Sequence, residues 1–200
     1  YSEITDILDT LYKIYRRKTI FISGSAAEYS PLPKEIAIDF IQELSYQLVC
    51  NGYTIINGYG KGIGTHIING VTRYCYTNRK VKLENCLSLI PFPLNAGKDQ
   101  NLKDVWTQYR TEMIEKCGVA IFIFGNKLID EKIVEANGMG EEFNIAKNNE
   151  LVLLPIGFTG SMASKLAKEI DCSKINENFI DVSKSVEQII KVINEISGKE

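Results

Sequence analysis

The chain has 200 residues, a length that suits one domain with a full hydrophobic core. It is 44% hydrophobic and 24% charged, the balance of an ordinary globular protein. The formal net charge is −2 and no long basic run occurs, so charge argues against a nucleic-acid partner. No signal peptide is visible and no apolar run approaches the roughly 18 residues of a membrane span. The five cysteines are odd in number, widely spaced and without a Cys-x-x-Cys pair. That usage fits reduced thiols in a cytoplasmic protein, with no disulfide frame and no zinc site. Cys50, Cys86 and Cys117 lie in or beside apolar runs and read as small core residues.

In chain order, Ile4, Ile7, Leu8, Leu11 and Ile14 repeat at helical spacing. The first residue is Tyr1 and not Met. The spacing predicts a helix over 2–17 that packs on this domain or connects to an upstream one, and residues 1–18 are expected to be a helix or linker from an upstream domain. The run Thr19–Ser23 predicts a buried strand, followed by Gly24, Ser25 and Ala26. Ile38, Ile41, Leu44 and Leu48 share a face of a helix over 34–51, which Gly52 ends. A second strand over 53–57 leads into the glycine loop Gly58–Gly64 and a helix over 65–76. A third strand, 86–90, is stopped by Pro91 and Pro93. After a helix over 101–116 comes Val119–Phe124, an apolar run that predicts burial on both faces. A polar insertion follows it. Gly138-Met139-Gly140 then opens a helix, 151–156 forms a fifth strand, and two helices close the chain. The alternation predicts an α/β Rossmann-like parallel sheet with helices on both faces. Ligands of such sheets sit at the carboxyl ends of the strands.

Glycine segments follow three of the predicted strands. Glycines let backbone amides approach a phosphate, and helix N-termini add unpaired amides. Gly58–Gly64 is not a P-loop, because Lys61 is not followed by Ser or Thr. Arg110 and Lys127 flank the strongest strand, where an arginine fork and a lysine charge suit phosphate. Glu141 and Glu142 begin a helix, where one satisfies the dipole and the other could accept bonds from ribose hydroxyls. His66 is the only histidine, so no Ser-His-Asp or Cys-His arrangement can be built. Trp106, Tyr109 and Met113 read as core packing.

Four segments occur in the order seen in the SLOG superfamily: Ser23–Ala26, Asn57–Gly64, Tyr109–Met113 and Gly138–Phe143. The chain resembles most the sirtuin- and TIR-associated branch, STALD, from about Thr19 to Ile196. The resemblance implies a nucleotide-sensing domain over 19–200, not itself an enzyme and without a cofactor. Its ligand would be a cyclic ADP-ribose isomer, with ADP-ribose or NAD as weaker mimics. It would switch on an upstream sirtuin-type NAD hydrolase in antiphage defence, as a dimer of such domains within a tetramer. The resemblance places the family's ligand contacts on Arg110, Lys127 and Glu142; the glycine segments add Gly24, Ser25, Ala26, Gly60, Gly138, Met139 and Gly140 as expected contacts, with no metal and no catalytic residue. The alternative is a LOG-type nucleoside-monophosphate phosphoribohydrolase. That family's Arg-Lys pair and Pro-Gly-Gly-x-Gly-Thr-x-x-Glu segment are broken here, by Thr111 after Arg110 and by the insertion through Asn137.

Overall fold

The computed structural model describes residues 2–95, 97–98, 101–170, 175 and 178–199. Cys172 lies outside the described residues. Strands β1 (Thr19–Ser25), β2 (Thr54–Asn57), β3 (Leu87–Leu89), β4 (Val119–Phe124) and β7 (Val152–Pro155) form one parallel sheet, ordered β3-β2-β1-β4-β7. The chain starts at the centre, runs outward through β2 and β3, then crosses to β4 and β7 on the other side. The carboxyl ends of β1 and β4 therefore form a topological switch point.

Strand alternation divides the core. Ile20 and Ile22 of β1, with Ile121 and Ile123 of β4, face a cluster completed by α2 (Lys34–Cys50), α3 (Gly64–Thr77) and α7 (Val182–Ser197). Phe21, Ala120 and Phe122 face the opposite cluster. There α4 (Leu102–Ile114) brings Met113 and Ile114, α5 (Asn137–Asn148) brings Met139 and Phe143, and α6 (Ser161–Glu169) brings Leu166. All six residues of β4 are buried, so the apolar run has no polar face because it has no solvent face.

Two features depart from the sequence reading. The polar insertion is a hairpin of β5 (Asn126–Ile129) and β6 (Lys132–Glu135), closed by Asp130 and Glu131 in left-handed conformation at φ 48 and 61. That is the geometry of a two-residue hairpin turn, which ordinarily announces itself by Asn-Gly or Asp-Gly. Cys50 is exposed, because it is the last residue of α2, whereas Cys86 and Cys117 are buried as expected. The first helix, α1 (Ser2–Arg16), forms, but its apolar residues Ile4, Ile7, Leu8 and Leu11 are 56–61% exposed. Among the described residues no helix is long and apolar enough to cross a membrane.

A candidate nucleotide cleft at the strand ends

A cleft of about 470 Å3 opens beyond the carboxyl ends of β1 and β2. Its walls are Ser23 and Gly24 from β1, Asn57 through Lys61 after β2, and Pro91, Phe92 and Leu94 after β3. Glu142 of α5 reaches in from the far side of the switch point. Successive elements thus bring together residues distant in sequence.

Glu142 is buried. The Ser23 hydroxyl donates to its Oε2 at 2.5 Å, and Arg110 Nε stands 3.4 Å from its Oε1. Burial pushes the Glu142 carboxyl above the ordinary carboxylate range, and the Ser23 hydrogen bond and the Arg110 charge oppose that rise. Arg110 is itself enclosed. Its Nη1 donates to Glu141 Oε2 at 2.9 Å, and the Thr107 hydroxyl donates to the same carboxylate. The Phe92 ring lies 4.9 Å from the guanidinium carbon. A Cβ on Gly138 would stand 2.7 Å from Arg110 Nη2, so the glycine makes room for the arginine. Arg110 Nε is buried without a hydrogen-bond partner, since its contact with Glu142 lacks bonding geometry.

The loop after β2 is fastened at nearly every residue. Asn57, buried, donates from Nδ2 to the Ile22 carbonyl and accepts from the Tyr59 amide at 2.8 Å. The Ala26 amide donates to the Lys61 carbonyl at 2.8 Å, and the Tyr29 hydroxyl donates to the Gly62 carbonyl at 2.7 Å. A Cβ on Gly60 would stand 1.8 Å from the Gly24 carbonyl oxygen, and one on Gly62 would stand 2.0 Å from the Ala26 oxygen. These two glycines are required by the approach of two backbone segments. On the opposite wall Trp106 Nε1 donates to the Pro93 carbonyl at 2.8 Å, tying Pro91–Leu94 to α4.

A model of the Sir2- and TIR-associating SLOG family, STALD, matches residues 3–200. The chain belongs to this family. It is 42% identical over 218 residues to NAD(+) hydrolase ThsA of Enterococcus faecium, covering 98% of this chain and 43% of that protein. It is 38% identical over 180 residues to NAD(+) hydrolase ThsA of Bacillus cereus strain MSX-D12, covering 90% and 36%. This STALD chain therefore spans less than half the length of these relatives. Among solved structures, the structural-genomics target TM1055 aligns with a TM-score of 0.59 at 14% identity, over 88% of this chain and 98% of its own. DNA processing protein A of Helicobacter pylori aligns with a TM-score of 0.50 at 14% identity, over 90% and 83%. Both show likeness of fold alone.

Of the residues singled out from the sequence, the STALD cleft gathers Gly24, Gly60 and Glu142. Ser25 turns away, its hydroxyl donating to the Asn126 carbonyl at 3.0 Å. The amide of Ala26 was expected to be free for phosphate, but it is spent on Lys61. The next two amides, of Ala27 and Glu28, donate to the Asn126 side chain. Asn126 is buried at the start of the hairpin, and the sequence reading passed over it. Gly138 and Gly140 form the first turn of α5 behind Arg110, outside the cleft wall. Met139 is a core residue whose sulfur packs against Gly125, and its amide donates to the Ala136 carbonyl. Arg110, expected as a phosphate contact, has a side chain only 11% exposed and faces two glutamates. Lys127 sits half-buried on β5, also outside the cleft wall. The cation that does line the cleft is Lys61, which sequence reading used only to reject a P-loop. His66 stands in the first turn of α3, its Nε2 3.4 Å from the Tyr29 hydroxyl; burial, and then Lys34, lower its pKa. No cluster of three or more His, Cys, Asp or Glu able to hold a metal occurs among the described residues.

Proposed function

We propose that this STALD chain is a nucleotide-sensing regulatory domain, and that its signal is a cyclic ADP-ribose isomer. The observation that carries the reading is a cleft at the sheet's carboxyl edge with one buried, pre-positioned carboxylate on its floor. A carboxylate held by Ser23 and Arg110 suits two ribose hydroxyls, which donate where water cannot compete. The apolar wall of Phe92 and Leu94 suits a purine base. The relatives carry the name NAD(+) hydrolase and are more than twice as long as the matched segment. In this proposal the hydrolase activity belongs to the remainder of such a protein, in antiphage defence. The chain here reports ligand to it, working in the cytoplasm as a homo-oligomer.

The test is calorimetric titration of the purified chain with cyclic ADP-ribose isomers, ADP-ribose and NAD, alongside chromatography after incubation with AMP and NAD. Binding of a cyclic isomer with no turnover is the expected result. Steady release of free base or nicotinamide, lost in Glu142→Gln, would replace the sensor by a phosphoribohydrolase or NAD hydrolase.

A further inference from the structure

Three cysteines distant in sequence meet at the amino edge of the sheet, the end opposite the cleft. Cys50 is the last residue of α2, Cys75 lies in the last turn of α3, and Cys86 directly precedes β3. The three thiols all lie within electrostatic reach of the Tyr74 hydroxyl. Those of Cys75 and Cys86 are close enough to share a hydrogen bond. The packing of α3 explains the meeting. Ile67 and Val71 are fully buried, and Cys75 continues their four-residue spacing by one more turn. Cys75 packs on the cluster that holds Cys86 while remaining partly open to solvent. Cys86 is buried, and its backbone is held on both sides. Its amide donates to the Leu83 carbonyl at 2.9 Å, and its carbonyl accepts from the Ile55 amide at 2.8 Å.

We propose that Cys75 and Cys86 form a reversible disulfide when the protein meets a hydroperoxide, stapling the end of α3 to the start of β3. The Cys75 thiolate attacks one peroxide oxygen and the O–O bond breaks. A Cys75 sulfenic acid results, and the departing oxygen takes up the proton that the thiol gave. The Cys86 sulfur then attacks Cys75 Sγ. The S–S bond forms, the S–O bond breaks, and the leaving hydroxide takes the Cys86 proton to become water. The two thiols lose two electrons and two protons, and hydrogen peroxide is reduced to two waters.

Exposure divides the work between the two sulfurs. An oxidant in solvent reaches Cys75 and is kept from Cys86. Burial pushes the Cys86 thiol up to about 11, and the neighbouring Cys75 adds to the rise. Cys86 is thus a poor target for the oxidant itself, and it reacts with the one sulfur already beside it. The segment 76–85 that the bond would enclose is exposed apart from the half-buried Val81, so it can adjust as the sulfurs close. Cys117 takes no part, since it packs in the cluster on the other face of the sheet. A bond of this kind is a sensing device compatible with a reducing compartment, where standing disulfides are rare.

The experiment treats the purified chain with hydrogen peroxide, blocks the remaining thiols with iodoacetamide and maps the peptides by mass spectrometry. The expected product is a linked Cys75–Cys86 peptide pair, formed equally in Cys50→Ser and reverted by dithiothreitol. The oxidised chain should melt about 5 °C above the reduced one, because the bond restricts the unfolded chain. In Cys86→Ala the Cys75 sulfenic acid should persist and take up dimedone, several-fold more than in wild type. A link from Cys50 to either partner in wild type, Cys75 carried on to sulfinic acid, or thiols all left free overturns the assignment. So does a melting temperature that oxidation fails to raise. The wild-type peptide map decides the matter even if Cys86→Ala fails to fold.

Discussion

Glu142 illustrates how a single residue couples charge, burial and ligand. Its carboxyl is raised by desolvation, so the folded protein holds that proton more tightly than the unfolded chain does. Stability from this group is therefore greatest at low pH and is lost as pH climbs from the unfolded carboxyl value through the raised folded one. Glu142→Gln removes the penalty, and its melting temperature should exceed that of wild type more at pH 8 than at pH 4.5. Melting scans across that range check this, and a difference independent of pH would show that Glu142 does not titrate as described. Ligand hydroxyls donating to the carboxylate favour its charged form. Binding should consequently release protons and tighten as pH rises. Calorimetry in two buffers of different ionisation enthalpy measures that release directly.

Between elements, Arg110 is a bolt joining α4 to α5. It leaves α4, meets Glu141 and Glu142 on α5, and lies under Phe92 from the loop after β3. Deleting one partner of a buried ion pair leaves the other uncompensated. Glu141 is partly exposed, which screens its share. Arg110→Ala should therefore cost about 1–3 kcal/mol, seen as a fall in Tm of about 5 °C. Unaltered melting with weakened ligand binding would make Arg110 a site charge alone. Loss of both supports an arginine that acts on the ligand by positioning Glu142.

At the scale of the molecule, α1 is the element without cover. Every described side chain from Ile4 to Tyr15 is exposed, and Lys13 reaches back to Glu150 at 2.6 Å. A 15-residue helix is marginal in water on its own. Its apolar residues Ile4, Ile7, Leu11 and Ile14 follow a 3-4-3 spacing along one stripe. The chain is expected to self-associate through this stripe. Light scattering at tens of micromolar (a rough working range for such contacts) should give a mass above the monomer. The paired change Ile7→Ser, Leu11→Ser should return it to monomer without altering the melting of the sheet core. A monomeric wild type, with ligand present, would count against it.

Periodicity and composition made much of this protein legible in its sequence. The run Val119–Phe124 has no polar alternation, so it had to be a central strand. Alternating strands and helices with short loops leave few options but a parallel sheet, and its carboxyl edge then locates the ligand side. The order of the glycine segments identified the family. What sequence could not supply was where non-local groups meet. The hairpin over 126–135 stayed hidden because its turn, Asp130-Glu131, reaches left-handed geometry without glycine. Asn126 and Ser23 carry no motif of their own in the sequence, and only folding sets one against the Ala27 and Glu28 amides and the other against Glu142. Gly60 and Gly62 lie in a loop read for its phosphate-approaching amides, and only the fold shows that both permit the approach of one backbone to another. Arg110 is enclosed by Glu141, Glu142 and Phe92, and Lys61 lines the cleft, for the same reason. A side chain's charge is written in the sequence, but its solvent exposure and its counter-ions depend on residues tens of positions away, and those distances are fixed only when the helices pack on the sheet.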